Sequence, residues 1–114
     1  MRDTPTAIGY LRKDISGTRQ QWDEAQIRSR AKRLGYNLMK TVTFSEATDD
    51  PEMRLLNVVD ACGIEAVIAP SLAHFDGVVP EALVRATELN VFEPAPATYA
   101  RRYDEIRRAV GGVR

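Results

Sequence analysis

The sequence predicts an α/β protein: a three-layer sandwich in which helices cover both faces of a mostly parallel, four-stranded sheet. Short apolar runs of strand length alternate with longer, helix-favouring segments along the chain. The helical segments, at roughly ten residues each, are long enough to carry the chain back across the sheet, as parallel strands require. The predicted order of elements is β-α-β-α-β-α-β-α.

The first half of the chain supplies two strands and two helices. The apolar run 6–11 predicts a buried strand, and the β-branched segment 37–44 predicts a second, with its even-numbered residues on one face. Residues 19–34 and 51–62 have the composition and apolar spacing of amphipathic helices. Each of these two segments is followed by a glycine, the usual residue at the end of a helix.

Several side chains of these two helices are expected to be buried. Ile27, Ala31 and Leu34 recur at helical spacing, and Trp22 lies about a turn and a half upstream of them. Cys62 has apolar neighbours and is expected to be a small buried side chain. Because it is the only cysteine, it cannot form a disulfide within the chain.

The second half continues the alternation. Residues 64–69 predict a third, buried strand, residues 80–88 a helix that opens at a proline, and residues 90–93 a fourth strand. Thr98 is placed to cap a last helix over residues 99–110.

Length and charge narrow the class of protein. A chain of 114 residues predicts a single domain with one core, over about residues 6–110, and no C-terminal DNA-binding domain. Its 16 basic residues balance 16 acidic ones, so the overall attraction to phosphate that nucleic-acid binders show is missing. No apolar run reaches membrane-spanning length, and the cysteine content fits a reducing compartment, so a cytoplasmic protein is expected.

In open α/β sheets, ligands gather where the parallel strands end. The predicted loops at that edge are residues 12–17, 44–50, 70–77 and 93–97. In the first of them Arg12, Lys13 and Ser16 could bind an anion, which leaves a small-ligand or nucleotide-binding module as one alternative. The phosphate-binding patterns GxxxxGK[ST] and GxGxxG are both absent, however, and nothing implies a cofactor.

Two stretches match a more specific pattern. Gly9-Tyr-Leu-Arg-Lys-Asp14 is followed by Gln20 and by a helix that closes in Gly35-Tyr36. Residues 64–77 combine a strand with a loop that contains Leu72 and Phe75. This layout resembles the catalytic domain of the serine recombinases, the resolvase/invertase family, which opens with Tyr-x-Arg-x-Ser and later carries Leu-Asp-Arg-Leu-x-Arg. The resemblance implies a resolvase-like fold and, in an intact member, DNA strand exchange.

The positions that react in that family are largely altered here. Arg12 matches the first catalytic arginine, but Asp14 stands at the position of the nucleophilic serine. In the second motif Ala73 replaces an aspartate, and His74 and Gly77 replace the two phosphate-binding arginines. The reaction needs a hydroxyl to attack phosphorus and guanidiniums to stabilise the transition state, so these changes predict a catalytically inactive domain.

Two serines could still supply a hydroxyl. Ser16 lies two residues beyond the family's nucleophile, and Ser71 follows the predicted third strand. A displacement of two residues fails the positional demand of in-line attack. The alternative function is nevertheless an active or accessory site-specific DNA recombinase domain, with DNA recognition supplied by a separate subunit.

The sequence therefore predicts a recombinase-like domain that works by binding, as a protein-interaction, oligomerisation or regulatory module. Its expected partner is a second copy or another protein, while DNA remains possible and a membrane is not expected. In the resembled family the last region takes part in dimer formation, which makes Tyr99, Tyr103, Ile106 and Val110 the candidate interface. No metal site is expected, because His74 has no cluster of other ligands around it.

Overall fold

A computed structural model describes residues 4–100 and contains one five-stranded sheet. The strands are β1 (Thr6–Arg12), β2 (Asn37–Phe44), β3 (Ala66–Ala69), β4 (Glu88–Val91) and β5 (Ala97–Tyr99). Their order across the sheet is β2-β1-β3-β4-β5. Neighbouring strands are parallel from β2 to β4, and β5 pairs antiparallel with β4 at the edge. The predicted α/β class and mostly parallel sheet are confirmed.

The helices lie in the connections between the strands. They are α1 (Lys13–Ser16), α2 (Gln20–Leu34), α3 (Pro51–Cys62) and α4 (Glu81–Ala86), with 3₁₀ turns at Gly17–Arg19 and Leu72–Phe75. Local sequence explains the ends of the two longest helices. Gly35 and Gly63 follow them with φ of 83° and 63°, the left-handed conformation that glycine adopts without strain.

Hydrophobic side chains pack on both faces of the sheet. Along β1, Ile8 and Tyr10 belong to one cluster, whereas Ala7 and Leu11 belong to another, as the alternation of a strand requires. The first cluster, here called the α3–α4 core, includes Leu55, Val59, Leu83 and Val84. The second, the α2 core, includes Ile27 and Ala31. Helices therefore cover both faces, as the sequence predicts.

The prediction of four strands is wrong, because the structure has a fifth. Thr98 does not cap a helix: its hydroxyl donates to Asn90 Oδ1 at 2.7 Å, across the pair β4–β5. Tyr99 lies in β5 opposite Leu89 rather than at the start of a helix. The rest of the predicted last helix, residues 100–110, lies outside the described residues apart from Ala100. Two prolines, Pro94 and Pro96, occupy the turn that reverses the chain.

Boundaries in the second half shift by a few residues. The predicted helix 80–88 is shorter, because Thr87 is extended and its hydroxyl donates to the Ile64 carbonyl oxygen. The fourth strand consequently begins at Glu88, two residues before the predicted start. Residues 13–16, predicted as loop, form α1 directly after β1.

The even-numbered residues of β2 do not share one face. Ala7 and Gly9 of β1 pair with Leu38 and Thr41, so β2 carries one residue more than its partner at this point. Such a bulge reverses the facing of the residues beyond it. Leu38 accordingly packs against the α2 core, and Val42 against the α3–α4 core.

Three side chains predicted to be buried are exposed. Trp22, Leu34 and Cys62 all lie at the surface, although Ile27 and Ala31 are buried as predicted. Helical spacing placed Trp22 near the core stripe, but the indole lies outside it, beneath the guanidinium of Arg19. None of the helices in residues 4–100 has the length and apolar character needed to cross a membrane.

Candidate functional site

The ends of the parallel strands bring the first and third predicted loops together. Arg12 is the last residue of β1, and His74 lies in the 3₁₀ turn that follows the neighbouring strand β3. The backbone N–H of Arg12 donates to His74 Nδ1 at 2.9 Å. Two positions predicted from separate motifs, 62 residues apart, are thus joined by a hydrogen bond at what we call the carboxyl-end edge of the sheet.

Arg12 is held by two carboxylates. Its Nε and Nη2 donate to the two oxygens of Asp14 at 3.2 and 2.6 Å, and its Nη1 donates to Asp76 Oδ1 at 2.7 Å. The two-point contact with Asp14 is the arrangement in which arginine and carboxylate interact most strongly. The hydrogen bonds from Arg12 lower the pKa of Asp14, and those two carboxylates raise the pKa of Arg12.

His74 is a buried, positioned ring rather than a solvent-facing ligand. It is 3% exposed, and acceptance of a hydrogen bond at Nδ1 leaves the ring hydrogen on Nε2. Burial lowers the pKa of His74, although the nearby carboxylates of Asp23 and Glu93 oppose that shift. Its carbonyl oxygen accepts from the hydroxyl of Tyr10, 3.2 Å away. Burial thus favours the neutral form of His74, which links β1 to the loop after β3.

Both candidate serine hydroxyls already have local partners. Ser16 is buried, and its Oγ donates to Asp23 Oδ2 at 2.7 Å, which ties α1 to α2. Ser71 Oγ accepts from the backbone N–H of Ala73 at 3.2 Å and so caps the 3₁₀ turn. Gly77 follows that turn with φ of 78°, a backbone role rather than a chemical one.

Lys13 is exposed on α1, beside Arg12 in sequence. The third residue of the predicted binding set, Ser16, is turned inward, so the three side chains do not converge on one anion. The geometry separates this set into a paired guanidinium on Arg12, an exposed ammonium on Lys13 and a buried hydroxyl on Ser16.

A second cluster of charged side chains, not predicted from the sequence, lies beside this one. Arg19 places its guanidinium carbon 4.7 Å from the ring centre of Trp22. Its Nη2 donates to Glu93 Oε2 at 2.6 Å and lies 3.7 Å from Asp23 Oδ1. The contact with Glu93 raises the pKa of Arg19. These residues come from α2, from the 3₁₀ turn before it and from the segment after β4.

The position of Asp23 in the sequence already indicates a buried carboxylate that needs a partner. It precedes Ile27 and Ala31 by one and two helical steps of four residues, so it lies on the buried stripe of α2. A carboxylate on such a stripe is costly unless it is paired. Asp23 is 3% exposed, and its Oδ1 accepts no hydrogen bond from any residue that the structure describes. Asp76 and Glu93 left no comparable signal, because their roles depend on which loops meet.

The carboxyl-end edge is acidic although the whole chain is neutral. The segments that follow the four parallel strands, residues 12–19, 45–50, 70–77 and 92–96, hold six acidic and three basic residues. Within residues 4–100, no group of three or more His, Cys, Asp or Glu side chains is placed to hold a metal ion. The net negative charge of these segments favours the approach of cations over phosphates.

The predicted interface residues lie elsewhere. Tyr99 is in the edge strand β5 and is half-buried against the α3–α4 core. Tyr103, Ile106 and Val110 lie outside the described residues.

No protein-family model, no curated protein and no solved structure matches the chain. The fold defines the class as an open α/β domain with a mostly parallel sheet. Only the residues of the site indicate what chemistry it can perform.

Proposed function

We propose that the chain is a recombinase-like domain without phosphoryl-transfer activity, which acts by binding a protein, either a second copy or another chain. The observation that carries the proposal is the state of Arg12. This residue matches the family's catalytic arginine, yet its guanidinium is held by Asp14 and Asp76. Asp14 itself stands where the nucleophile would be.

The ion pairs work against phosphate binding for an electrostatic reason. A phosphodiester at this point would have to displace two carboxylates from Arg12 and remain beside them. Removal of one preorganised donor typically costs about 3 to 4 kcal/mol of transition-state stabilisation. Here His74 and Gly77 replace two further donors, so no useful rate of DNA cleavage is expected.

The environment of the hydroxyls supports the same conclusion. Ser16 is buried and gives its hydrogen to Asp23, and Ser71 is engaged with the backbone of its own turn. In-line attack requires an oxygen with a clear path to phosphorus. Ser16 lacks such a path because it is buried, and the Ser71 oxygen already accepts from a backbone N–H, which lowers its nucleophilicity.

Exposed apolar side chains favour a protein as the partner. Trp22 is 49% exposed and Ile15 41% exposed, on α2 and on α1 next to the carboxyl-end edge. Aromatic side chains at a surface with nearby charges are typical anchors of protein interfaces. The candidate interface at Tyr99, Tyr103, Ile106 and Val110 remains a proposal for self-association.

The first test measures whether the chain cleaves DNA. The purified chain and an Asp14→Ser variant are incubated with supercoiled plasmid, and nicked product and covalent protein–DNA adducts are measured. Both are expected to be inert, because the variant restores a hydroxyl without restoring the missing arginines. A covalent adduct that disappears in Ser16→Ala would overturn the proposal in favour of the active recombinase domain.

Light scattering supplies the second readout. The mass of the chain is measured with and without a long mixed-sequence duplex, at low and near-physiological salt. We expect a mass above the 12.7 kDa of one chain that does not respond to DNA. A salt-sensitive complex with the duplex would contradict the proposal, since phosphate neutralisation produces that dependence.

A further inference from the structure

The guanidinium of Arg19 occupies a compact cation site made by three other side chains. The ring of Trp22 lies 4.7 Å from its carbon, Glu93 Oε2 lies 2.6 Å from Nη2, and Asp23 Oδ1 lies 3.7 Å from the same nitrogen. An aromatic face with two carboxylates beside it is the arrangement that recognises organic cations in proteins.

The inner wall of this site is fixed before any ligand arrives. Asp23 is 3% exposed, and its Oδ2 accepts from Ser16, which holds the carboxylate in place. Its Oδ1 is buried and makes no hydrogen bond within residues 4–100, since 3.7 Å to Arg19 is too long for one. A buried carboxylate oxygen that accepts no hydrogen bond destabilises the folded state, and a better-placed donor would remove that destabilisation.

Arg19 itself is a replaceable occupant. Its side chain is 55% exposed and extends from a short 3₁₀ turn, and its contact with Glu93 is an exposed ion pair. Pairs of this kind contribute little net stability, because water solvates both groups well when they separate. The Asp23 carboxylate is therefore held rigidly, whereas the Arg19 side chain is held loosely.

We propose that Trp22, Glu93 and Asp23 form a recognition site for an arginine side chain of a protein partner, with Arg19 as an internal stand-in when the partner is absent. The inference rests on the proposed function and deepens it by naming the chemistry of the partner. Arginine fits better than lysine, because a planar guanidinium stacks on indole and carries donors on separate nitrogens for the two carboxylates. A compact ammonium has no planar face to stack on the indole.

The experiment uses the fluorescence of Trp22, the only tryptophan in the chain. The native chain and an Arg19→Ala variant are titrated with N-acetyl-arginine amide and, separately, with N-acetyl-lysine amide. The arginine probe is expected to bind Arg19→Ala about tenfold more tightly than it binds the native chain, and to quench the fluorescence of Trp22 when it binds. The lysine probe is expected to give a weaker response.

Two further variants act as controls. Arg33→Ala removes another exposed arginine, near the far end of α2, the helix that carries Trp22, and is expected to bind as the native chain does. Arg19→Ala/Glu93→Gln removes the exposed carboxylate as well and is expected to lose the gain. Circular dichroism melts confirm that each variant is folded.

Equal affinity of the arginine probe for the native chain, for Arg19→Ala and for Arg19→Ala/Glu93→Gln would overturn the inference. An equal response to the two probes would overturn the choice of arginine. The assay contains neither DNA nor a partner, so its failure is distinguishable from failure of the proposed function, which is decided by the nicking and light-scattering measurements.

Discussion

At the scale of single residues, the site is governed by how charges are partnered. Arg12 is neutralised by Asp14 and Asp76, whereas Arg19 is shared between an aromatic ring and two carboxylates. The first arrangement removes a guanidinium from phosphate chemistry, because two-point carboxylate pairing satisfies it strongly. The second leaves a guanidinium-shaped site with an exchangeable occupant.

Replacement of His74 should change how stability depends on pH. Burial lowers the pKa of His74 below its ordinary 6.5, so the unfolded chain takes up a proton at a pH where the folded chain does not. The free energy of unfolding should therefore fall as pH drops below about 6.5, by about 1.4 kcal/mol for each unit of pKa lowering. Urea unfolding of the native chain and of His74→Asn, measured between about pH 7 and pH 5, checks this.

In His74→Asn an amide oxygen can still accept from the Arg12 N–H, but the titrating group is gone. Its stability should be flatter over the same interval. The lowered pKa of Asp14 does not interfere, because its stabilising effect is lost only as pH falls below its ordinary 3.8. A native chain whose stability is unchanged across this interval would contradict the prediction.

At the scale of elements, the position of α2 depends on close approach to the sheet. A β-carbon built on Gly9 would lie 2.6 Å from Ile27 Cγ2 and 2.7 Å from Thr41 Oγ1. Ile27 is fully buried in the α2 core and has no room to move aside. Glycine at this point of β1 therefore lets one helix and a neighbouring strand pack against it together.

Gly9→Ala is expected to lower the free energy of unfolding by about 1 to 3 kcal/mol, the usual cost of overpacking a core. Chemical denaturation measures it. In a Thr41→Ala background one of the two clashes is gone, so the same substitution should cost less there. Equal costs in the two backgrounds would mean that Thr41 does not limit the approach.

The start of α3 offers a second test at this scale. Asp50 accepts from the backbone N–H of Met53 at 3.4 Å and caps the helix with φ of 46°. Asp50→Ala should cost about 1 kcal/mol, whereas Asp50→Asn should be nearly neutral, because asparagine both caps and tolerates the left-handed region. Thermal melts of the two variants against the native chain decide it, and indistinguishable melts would rule out a capping role.

At the scale of the whole molecule, β1 joins the two cores. Its side chains alternate between the α3–α4 core, through Ile8 and Tyr10, and the α2 core, through Ala7 and Leu11. Loss of one helical layer would expose this strand and remove support from the other layer. We therefore expect the described part of the chain to unfold as one unit.

Cooperative unfolding is measured with two probes. Fluorescence of Trp22 reports on α2, and far-ultraviolet circular dichroism reports on all helices and strands. Their urea midpoints should coincide. A fluorescence transition at lower urea than the dichroism transition would show that α2 separates before the rest unfolds.

Local sequence determined much of the fold of this protein. The spans of β2 and α3 are those predicted, and α2 differs by one residue, because periodic apolar positions and terminal glycines are local signals. The bulge in β2, the strand β5 and the exposure of Trp22 depend on contacts between distant segments. Local spacing does not contain them.

The candidate site divides in the same way. Sequence reasoning found Arg12, Asp14 and His74 from motif positions, with the first two in one loop and His74 in another. Only the tertiary structure placed Asp76 on Arg12, and Glu93 on Arg19, because each pair joins residues more than sixty positions apart. Parallel strands that end at one edge bring such residues together, and the charges that meet there decide what the edge can bind.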